Sequence, residues 1–307
     1  SRSTSPSTTS ADRLSDEGGT DDGAPDPGSP PIADLEVIDD ATRALEACGD
    51  LFRADPIGCA AVTITLYPGR SSELLRLHDG ADTVGAAVSE ATGSSAASYT
   101  LTPLAPGAAP ALAAALPDDR RIRLVGRPDD VAAVAGAWAD RTDGAIDTGQ
   151  LFRWYRLGEL NDSRKRKGQL HVAERDSSDR AAEWMVAFGA DIGQPIAPSV
   201  AATRVDDAIN EGRLLEWRVG DDVVSQLTVS PARFGVVRVN GVYTPPPLRK
   251  HGYSGAITAA VAAQQIARQK VDDIILDQPA ANAATNRMFR RLGFDAVGTS
   301  LVVDLVP

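Results

Sequence analysis

One stretch restricts the fold more than any other: VYTPPPLRKHGYSGA, residues Val242–Ala256. Its prolines, Pro245–Pro247, have no N–H group to donate to a sheet, so a strand must end near Thr244. Alanines then recur at helical spacing from Ala256 to Ala267, which predicts a helix that begins near Gly252. The sequence therefore predicts a strand that stops abruptly and a helix that opens on glycine.

The start of such a helix suits a phosphate group. Its first N–H groups have no partner within the helix, and the helix dipole makes this end positive. Gly252 and Gly255 let a ligand approach the main chain, and Arg249, Lys250 and His251 add positive charge at the rim. A plain strand-to-helix turn explains the same residues equally well. Neither the P-loop pattern nor G-x-G-x-x-G is present at this position.

Composition excludes several classes of protein. The chain has 307 residues, which favours about two domains, and 43% apolar with 24% charged residues, which is ordinary for a soluble globular protein. No apolar run approaches the ~18 residues of a membrane span. A net charge of -11 without a lysine-rich block argues against a nucleic-acid partner. Two cysteines outside any CxxC pattern and three histidines argue against a metal site, and we expect a cytoplasmic protein.

The chain divides by pattern into four parts. Residues 1–31 are mostly Ser, Thr, Asp, Gly and Pro, with one leucine as the only large apolar residue, which predicts a disordered tail. Residues 32–160 alternate helical and strand patterns, and residues 161–168 (NDSRKRKG) are typical of a linker. Residues 169–307 predict strand, two helices, three antiparallel strands, then helix, strand, helix and a closing strand pair. That order indicates an α/β domain with a mixed sheet.

Three segments of the first half carry specific predictions. AAVTITLY, residues 60–67, alternates as a strand does. DDVAAVAGAWADR predicts a helix that Asp129 or Asp130 opens, and QLFRWYRL predicts a strand that closes the first domain.

The residues of the second half resemble the GNAT superfamily of N-acetyltransferases. Arg249-Lys-His-Gly252-Tyr-Ser254 is similar to its R/Q-x-x-G-x-G/A signature, and Asn282 to Asn286 with Phe289 and Leu292-Gly293-Phe294 is similar to its second signature. The resemblance covers roughly residues 169–307 and is strongest to an actinobacterial-type subgroup whose strand reads VYTPP. It implies tandem GNAT-like domains, of which the first is degenerate because it lacks both signatures.

The resemblance implies acetyl-CoA as co-substrate and assigns residues to it. The main chain from Arg249 to Gly255, namely Arg249, Lys250, His251, Gly252, Tyr253, Ser254 and Gly255, is expected to bind the diphosphate. Val242 and Thr244 are expected to pair with the pantetheine arm, and the Val242 N–H to stabilise the oxyanion. Asn282 and Asn286 are expected on the pantetheine side, although an N-cap explains Asn282 as well.

The residue implied as a general acid is missing. The family often has a tyrosine where this chain has Phe289, and phenylalanine has no proton to give. Coenzyme A is a tolerable leaving group because thiols have a pKa near 8.5. Candidates for the base are Glu216, Tyr243, Glu183 and His251. The pattern is also compatible with Glu216 facing solvent, with Tyr243 in the core, and with Trp184 and Phe188 as ordinary core residues.

The leading functional hypothesis is therefore an acetyl-CoA-dependent N-acetyltransferase in which a primary amine, on a small molecule or a peptide, attacks the thioester directly. The alternative, motivated by Phe289, is a non-catalytic acyl-CoA-binding or regulatory protein. A third hypothesis is an interaction scaffold that binds no cofactor. The sequence leaves a homodimer open.

Overall fold

The computed structural model describes residues 33–66, 72–90, 97–147, 149–161 and 167–307. The predicted tail, residues 1–31, lies outside the described residues, as does most of the predicted linker, residues 161–168. The described residues from 33 to 307 form one compact unit. In this part of the chain, no helix is both long enough and apolar enough to cross a membrane.

The first half of the chain contributes strands and helices in alternation. Its strands are β1 (Asp34–Ile38), β2 (Ser72–Asp79), β3 (Asp82–Glu90), β4 (Ala97–Leu101), β5 (Ile122–Gly126), β6 (Ala145–Ile146) and β7 (Gln150–Leu157). Its helices are α1 (Ala41–Ala47), α2 (Gly49–Ala54), α3 (Ala60–Thr63), α4 (Ala109–Ala115) and α5 (Pro128–Thr142).

The second half follows the element order that the sequence predicts, apart from its last strand. Its strands are β8 (Gln169–Val172), β9 (Leu214–Val219), β10 (Asp222–Val229), β11 (Val236–Tyr243), β12 (Asp273–Pro279) and β13 (Phe294–Val306). Its helices are α6 (Ser178–Asp191), α7 (Pro198–Asn210), α8 (Tyr253–Ile266) and α9 (Ala283–Arg291).

The strands form a mixed sheet that runs through both halves. Its order is β1-β2-β3-β4-β5-β13-β7-β12-β11-β10-β9-β8, and β6 pairs with β13. The pairs β4–β5 and β11–β12 are parallel, and the other pairs are antiparallel. The predicted α/β class with a mixed sheet is confirmed.

Each half donates one strand to the other. β7 comes from the first half but lies between β12 and β13, with Trp154 opposite Asp277. β13 continues past β7 and pairs with β5, with Val303 opposite Leu124. Tyr155 of the donated strand is fully buried in the core of the second half. A fully buried large apolar side chain contributes about 2–3 kcal/mol relative to an exposed one. The exchange therefore fastens the two halves by hydrogen bonds and by apolar packing.

Three local predictions are wrong. Residues 60–63 form α3 instead of a strand, because Cys59, Val62, Thr63 and Leu66 are buried at helical spacing. The strand of this region is β2, which the sequence analysis missed.

The helix predicted to open at Asp129 or Asp130 has Arg127 as its N-cap and Pro128 in its first turn. Both aspartates lie in that turn, where their charge suits the helix dipole. The predicted closing strand pair is one long strand, β13, with a register shift between Ala296 and Gly298.

Candidate active site

A cleft of about 1060 Å³ lies along one face of the sheet and extends over both halves. Residues directly opposite each other in a sheet share a face, so the registers of β4, β5, β13, β7, β12 and β11 identify its floor. The side chains that share this face and line the cleft are Ser98, Thr100, Arg123, Val125, Ser300, Val302, Asp304, Phe152, Trp154, Asp277, Pro279, Arg238, Asn240 and Tyr243. The floor is continuous because the exchanged strands join the halves.

Helix α6 and the connection from α6 to α7 form the wall above the floor. Met185, Phe188 and Ile196 line the cleft from this side. The connection is fastened to the first half, since the Arg123 guanidinium donates to the Gln194 side-chain oxygen at 2.9 Å and Gln150 donates to the Ile192 carbonyl at 2.8 Å. The first half therefore shapes one end of the cleft.

The parallel strands β11 and β12 separate within the cleft. Their paired residues end at Arg238 and Ile275, although β11 continues to Tyr243 and β12 to Pro279. In the described chain, the main chain of β11 beyond Arg238 is thus not paired with β12. A strand edge of this kind can hydrogen-bond an extended ligand, as a sheet edge does a peptide.

A β-bulge lies in β11 beside this opening. Thr228 pairs with Asn240 and Gln226 with Tyr243, so Gly241 and Val242 together oppose a single residue of β10. Gly241 has φ +63°, a conformation that glycine adopts without strain. The bulge moves Tyr243 onto the cleft face, whereas the Val242 side chain packs against the core cluster of the second half. Val242 also lines the cleft.

The end of β11 is tied to the start of α8 by hydroxyl groups. The Thr244 and Ser254 hydroxyls lie 2.7 Å apart, and the Thr244 hydroxyl also donates to that of Ser225 at 2.9 Å. Arg249 donates from Nε to the Thr244 carbonyl at 2.9 Å and pairs with Asp191 at the end of α6. These contacts fix the turn that the three prolines begin.

The turn before α8 leaves its main chain accessible to a ligand. Lys250 and Gly252 have φ +69° and +84°, and Gly252 is the N-cap of the helix. Within the described residues, no side chain caps this end, and no acceptor contacts the N–H groups of Tyr253, Ser254 and Gly255. Ser254 lines the cleft, and the His251 ring stacks on Tyr253 at the exposed rim. These donors can therefore bind an anion at the cleft.

Glu216 does not line this cleft, although it is on the same face of the sheet as Tyr243, two strands away. Its side chain is fully buried, and its two oxygens pair with Arg180 and Arg218. Burial alone raises the pKa of Glu216, but hydrogen bonds from Ser177 and Arg218 and the charge of Arg180 outweigh burial and leave the pKa lowered. The alternative that Glu216 faces solvent is wrong. A carboxylate paired in this way is a weak proton acceptor, which makes Glu216 a poor general base.

Tyr243 is a buried residue that also belongs to the cleft floor. It is 6% exposed, its ring centroid lies 5.8 Å from that of Trp184, and the Arg249 guanidinium lies 5.7 Å from its ring. Phe188 lines the cleft, whereas Trp184 packs between Tyr243 and Arg180. Glu183 is exposed on α6.

Of the two asparagines in the second signature, one lines the cleft and the other is buried in the core. Asn282 lines the cleft and is the N-cap of α9, accepting from the Thr285 N–H at 3.2 Å. Asn286 is buried: Tyr155 and Gln278 donate to its oxygen, and its nitrogen donates to the Ala280 carbonyl. The Asn286 amide therefore makes its hydrogen bonds within the protein, which argues against a contact with a cofactor.

Phe289 lies where the cleft meets the core. It lines the cleft, is 3% exposed, and packs against Tyr155 and Phe294 at centroid distances of 6.0 and 5.9 Å. It is held in place by aromatic contacts from both halves.

The structure also places in the cleft residues that sequence analysis missed. Arg238 pairs with Asp277 and lies over the Trp154 ring at 4.8 Å, and the Trp154 N–H donates to the Ser300 hydroxyl at 3.0 Å. The period of two in β7, β11 and β12 could have put these residues on one face of each strand. Their meeting depends on the strand exchange, for which the sequence carries no signal. Among the described residues, no cluster of His, Cys, Asp or Glu could hold a metal ion.

Comparison with solved structures identifies the fold. The chain is similar to a protein from Drosophila (TM-score 0.64, 11% identity, covering 91% of this chain and 99% of that one). It is similar to a GCN5-related N-acetyltransferase from Sphaerobacter thermophilus (TM-score 0.58, 12% identity, 90% and 96%) and to a tandem GNAT protein from the clavulanic acid biosynthesis pathway (TM-score 0.55, 12% identity, 89% and 98%). No family model and no curated protein matches the chain.

The chain therefore has the GNAT fold, in which two GNAT-like units share one sheet. The resemblance predicted from the two signatures is confirmed at the level of the fold, and the tandem arrangement is confirmed with it. The exact domain boundaries, at residues 161–168, stay a prediction.

Proposed function

We propose that this protein is an acetyl-CoA-dependent N-acetyltransferase that acts on a primary amine. The observation that carries the proposal is the separation of β11 from β12 directly before a helix start with free N–H groups. The unpaired strand edge is followed directly by the anion site. This arrangement fits a ligand in which an extended amide arm is joined to a diphosphate.

The residues present fit this co-substrate. N–H groups at the start of α8 would hold the diphosphate, with Arg249, Lys250 and His251 at the rim. The unpaired edge of β11 at Val242, with Thr244 directly after the strand, would hold the arm, and the Val242 N–H would stabilise the negative charge that develops on the carbonyl oxygen. Acetyl-CoA supplies an activated thioester. The acceptor ammonium gives up two protons overall, one to solvent and one to the departing thiolate, while the C–N bond forms and the C–S bond breaks.

The acceptor amine would reach the thioester along the floor of the cleft. The charged and aromatic residues of β12, β7 and β13 line the same cleft as the proposed acyl position. The first half therefore takes part in acceptor binding, because it supplies β7 and fastens the α6–α7 connection.

Titration calorimetry with coenzyme A tests the cofactor site. Gly252→Val should abolish binding, because a β-branched residue at φ +84° disturbs the turn and covers the free N–H groups. Gly220→Val is the matched control: Gly220 also has a left-handed φ, +63°, but lies in the turn between β9 and β10 with open space around it. Equal coenzyme A affinity in wild type and Gly252→Val would refute the site.

Phe289 supports a second candidate, a protein that binds acyl-CoA without turnover. A tyrosine at this position could protonate the thiolate, and phenylalanine cannot. Thiol release from acetyl-CoA with a panel of primary amines separates the two: release above the hydrolysis rate supports the transferase, and binding without release supports the second candidate.

A further inference from the structure

The closed end of the opening between β11 and β12 is occupied by Asp277. The last paired residues are Arg238 and Ile275, and Asp277 lies two residues further along β12, on the same face. On its other side Asp277 is opposite Trp154 of the donated strand. Asp277 therefore lies on the cleft floor, at the point where the two strands begin to separate.

One carboxylate oxygen of Asp277 has no protein donor. Both contacts from Arg238, through Nε at 2.9 Å and through Nη2, go to Oδ1. No other donor in the described chain contacts Oδ2, although the side chain is only 12% exposed. Oδ2 is not fully enclosed, so solvent reaches it from the cleft, and a charged donor on a ligand could take the place of water there. This oxygen can still accept a strong hydrogen bond from a ligand.

The other aspartates of the cleft do not offer such an oxygen. Asp304 uses both of its oxygens on Arg121 and Arg123. Asp191 pairs with Arg249 and is 46% exposed, so water solvates its carboxylate.

Asp277 and the proposed acyl position line the same cleft. Asp277 lies two residues beyond the last paired residue of β12, and Val242 lies four residues beyond the last paired residue of β11. An amine nitrogen that contacts Asp277 therefore enters the space into which a thioester at Val242 would extend.

The surroundings indicate the rest of the acceptor. Trp154 and Phe152 lie beside Asp277 and Pro279 on the floor, and Phe289 lines the same cleft. These aromatic side chains offer an apolar surface against which an apolar body can pack.

We propose that Asp277 binds the ammonium group of the acceptor, and that the acceptor is a monoamine with an apolar body, such as an arylalkylamine. The proposal rests on the proposed function, because it places the acyl group at Val242. Arg238 is a positioning residue: it holds Oδ1 and leaves Oδ2 toward the cleft.

Steady-state thiol release with phenethylamine, at saturating acetyl-CoA, tests the inference. Asp277→Asn should raise KM for phenethylamine at least about tenfold, the loss expected for a hydrogen bond to a charged group, and leave KM for acetyl-CoA within about twofold. Asp273→Asn is the matched control, since Asp273 is on the same strand and pairs with Arg156, outside the cleft. Equal KM values for phenethylamine in wild type and Asp277→Asn would overturn the proposal.

A binding measurement separates this inference from the proposed function. Phenethylamine is titrated calorimetrically into protein saturated with coenzyme A, with 2-phenylethanol as the neutral comparison. Binding of the amine that weakens about tenfold in Asp277→Asn supports the inference even if no amine is acetylated, in which case the transferase proposal alone fails. No binding of phenethylamine to wild type, or equal binding of the amine and the alcohol, overturns the inference. If Asp277→Asn does not fold, the double variant Asp277→Ala with Arg238→Met removes both charges and serves in its place.

Discussion

We expect Glu216 to stabilise the fold through its ion pairs and to have no catalytic role. Glu216→Gln keeps the shape of the side chain and removes its charge. Arg180 and Arg218, each with a side chain 27% exposed, would then lose their shared counter-ion. Nη1 of Arg180 is already buried without a hydrogen-bond partner among the described residues. This guanidinium is therefore poorly placed to find another acceptor once the Glu216 charge is removed.

The expected loss of stability is large for one substitution. Breaking a buried ion pair by removing one partner costs about 3–5 kcal/mol. We expect the lower end, about 3 kcal/mol, because both arginines keep some contact with water. For a chain of this size that corresponds to a fall of about 6 °C in the melting temperature.

The effect should also depend on pH. The folded pKa of Glu216 lies below its ordinary value of 4.5, so its stabilisation is complete above that value and is lost as the pH falls through the lowered folded pKa. The difference in unfolding free energy between wild type and Glu216→Gln should therefore be constant near neutral pH and shrink below about pH 4.5.

Urea denaturation at pH 7 and at pH 4 measures this difference, with the exposed Glu183→Gln as control, for which we expect less than about 0.5 kcal/mol. The folded fraction of Glu216→Gln should release thiol with the wild-type pH profile. A variant of wild-type stability that has lost turnover would refute this reasoning and restore Glu216 as a base.

Three further outcomes follow from the packing. Gly293→Ala should unfold the protein or lower its unfolding free energy by more than about 3 kcal/mol in urea denaturation. The reason is that a Cβ at this residue, with φ +93°, would lie 1.8 Å from a main-chain oxygen. A fall of less than about 1 kcal/mol would contradict this packing. Tyr155→Phe should cost about 1 kcal/mol by the same assay, since it removes the hydrogen bond to Asn286; an unchanged midpoint would show that this bond contributes nothing. Burial raises the pKa of Cys48 to about 11 and of Cys59 to about 12, so both stay protonated at pH 8 and Ellman's reagent should label them only after denaturation; rapid labelling of native protein would show that they are accessible.

The second half was the more predictable part of this chain. Prolines and glycines act locally, so the end of β11, the start of α8 and the order of the surrounding elements could be inferred from the printed residues. Asn282 as an N-cap is local for the same reason.

Errors arose where distant contacts decide the local structure. Residues 60–63 have the alternation of a strand, but packing against the core of the first half makes them helical. Asn286 matches a signature position, yet its amide is used by Tyr155, 131 residues earlier in the sequence. The Arg238–Asp277 pair and Trp154 meet only because β7 lies in the sheet of the other half.

The reciprocal strand exchange has a consequence for synthesis on the ribosome. Domains commonly fold one after another, N-terminal first, as they emerge. Here β5 must wait for β13, the last described strand, before its outer edge is covered, so the nascent first half keeps an open edge until residues 294–306 have been translated. The same arrangement suggests that two polypeptides, divided between residues 161 and 167, would each carry the strand that the other lacks and could reassemble by complementation.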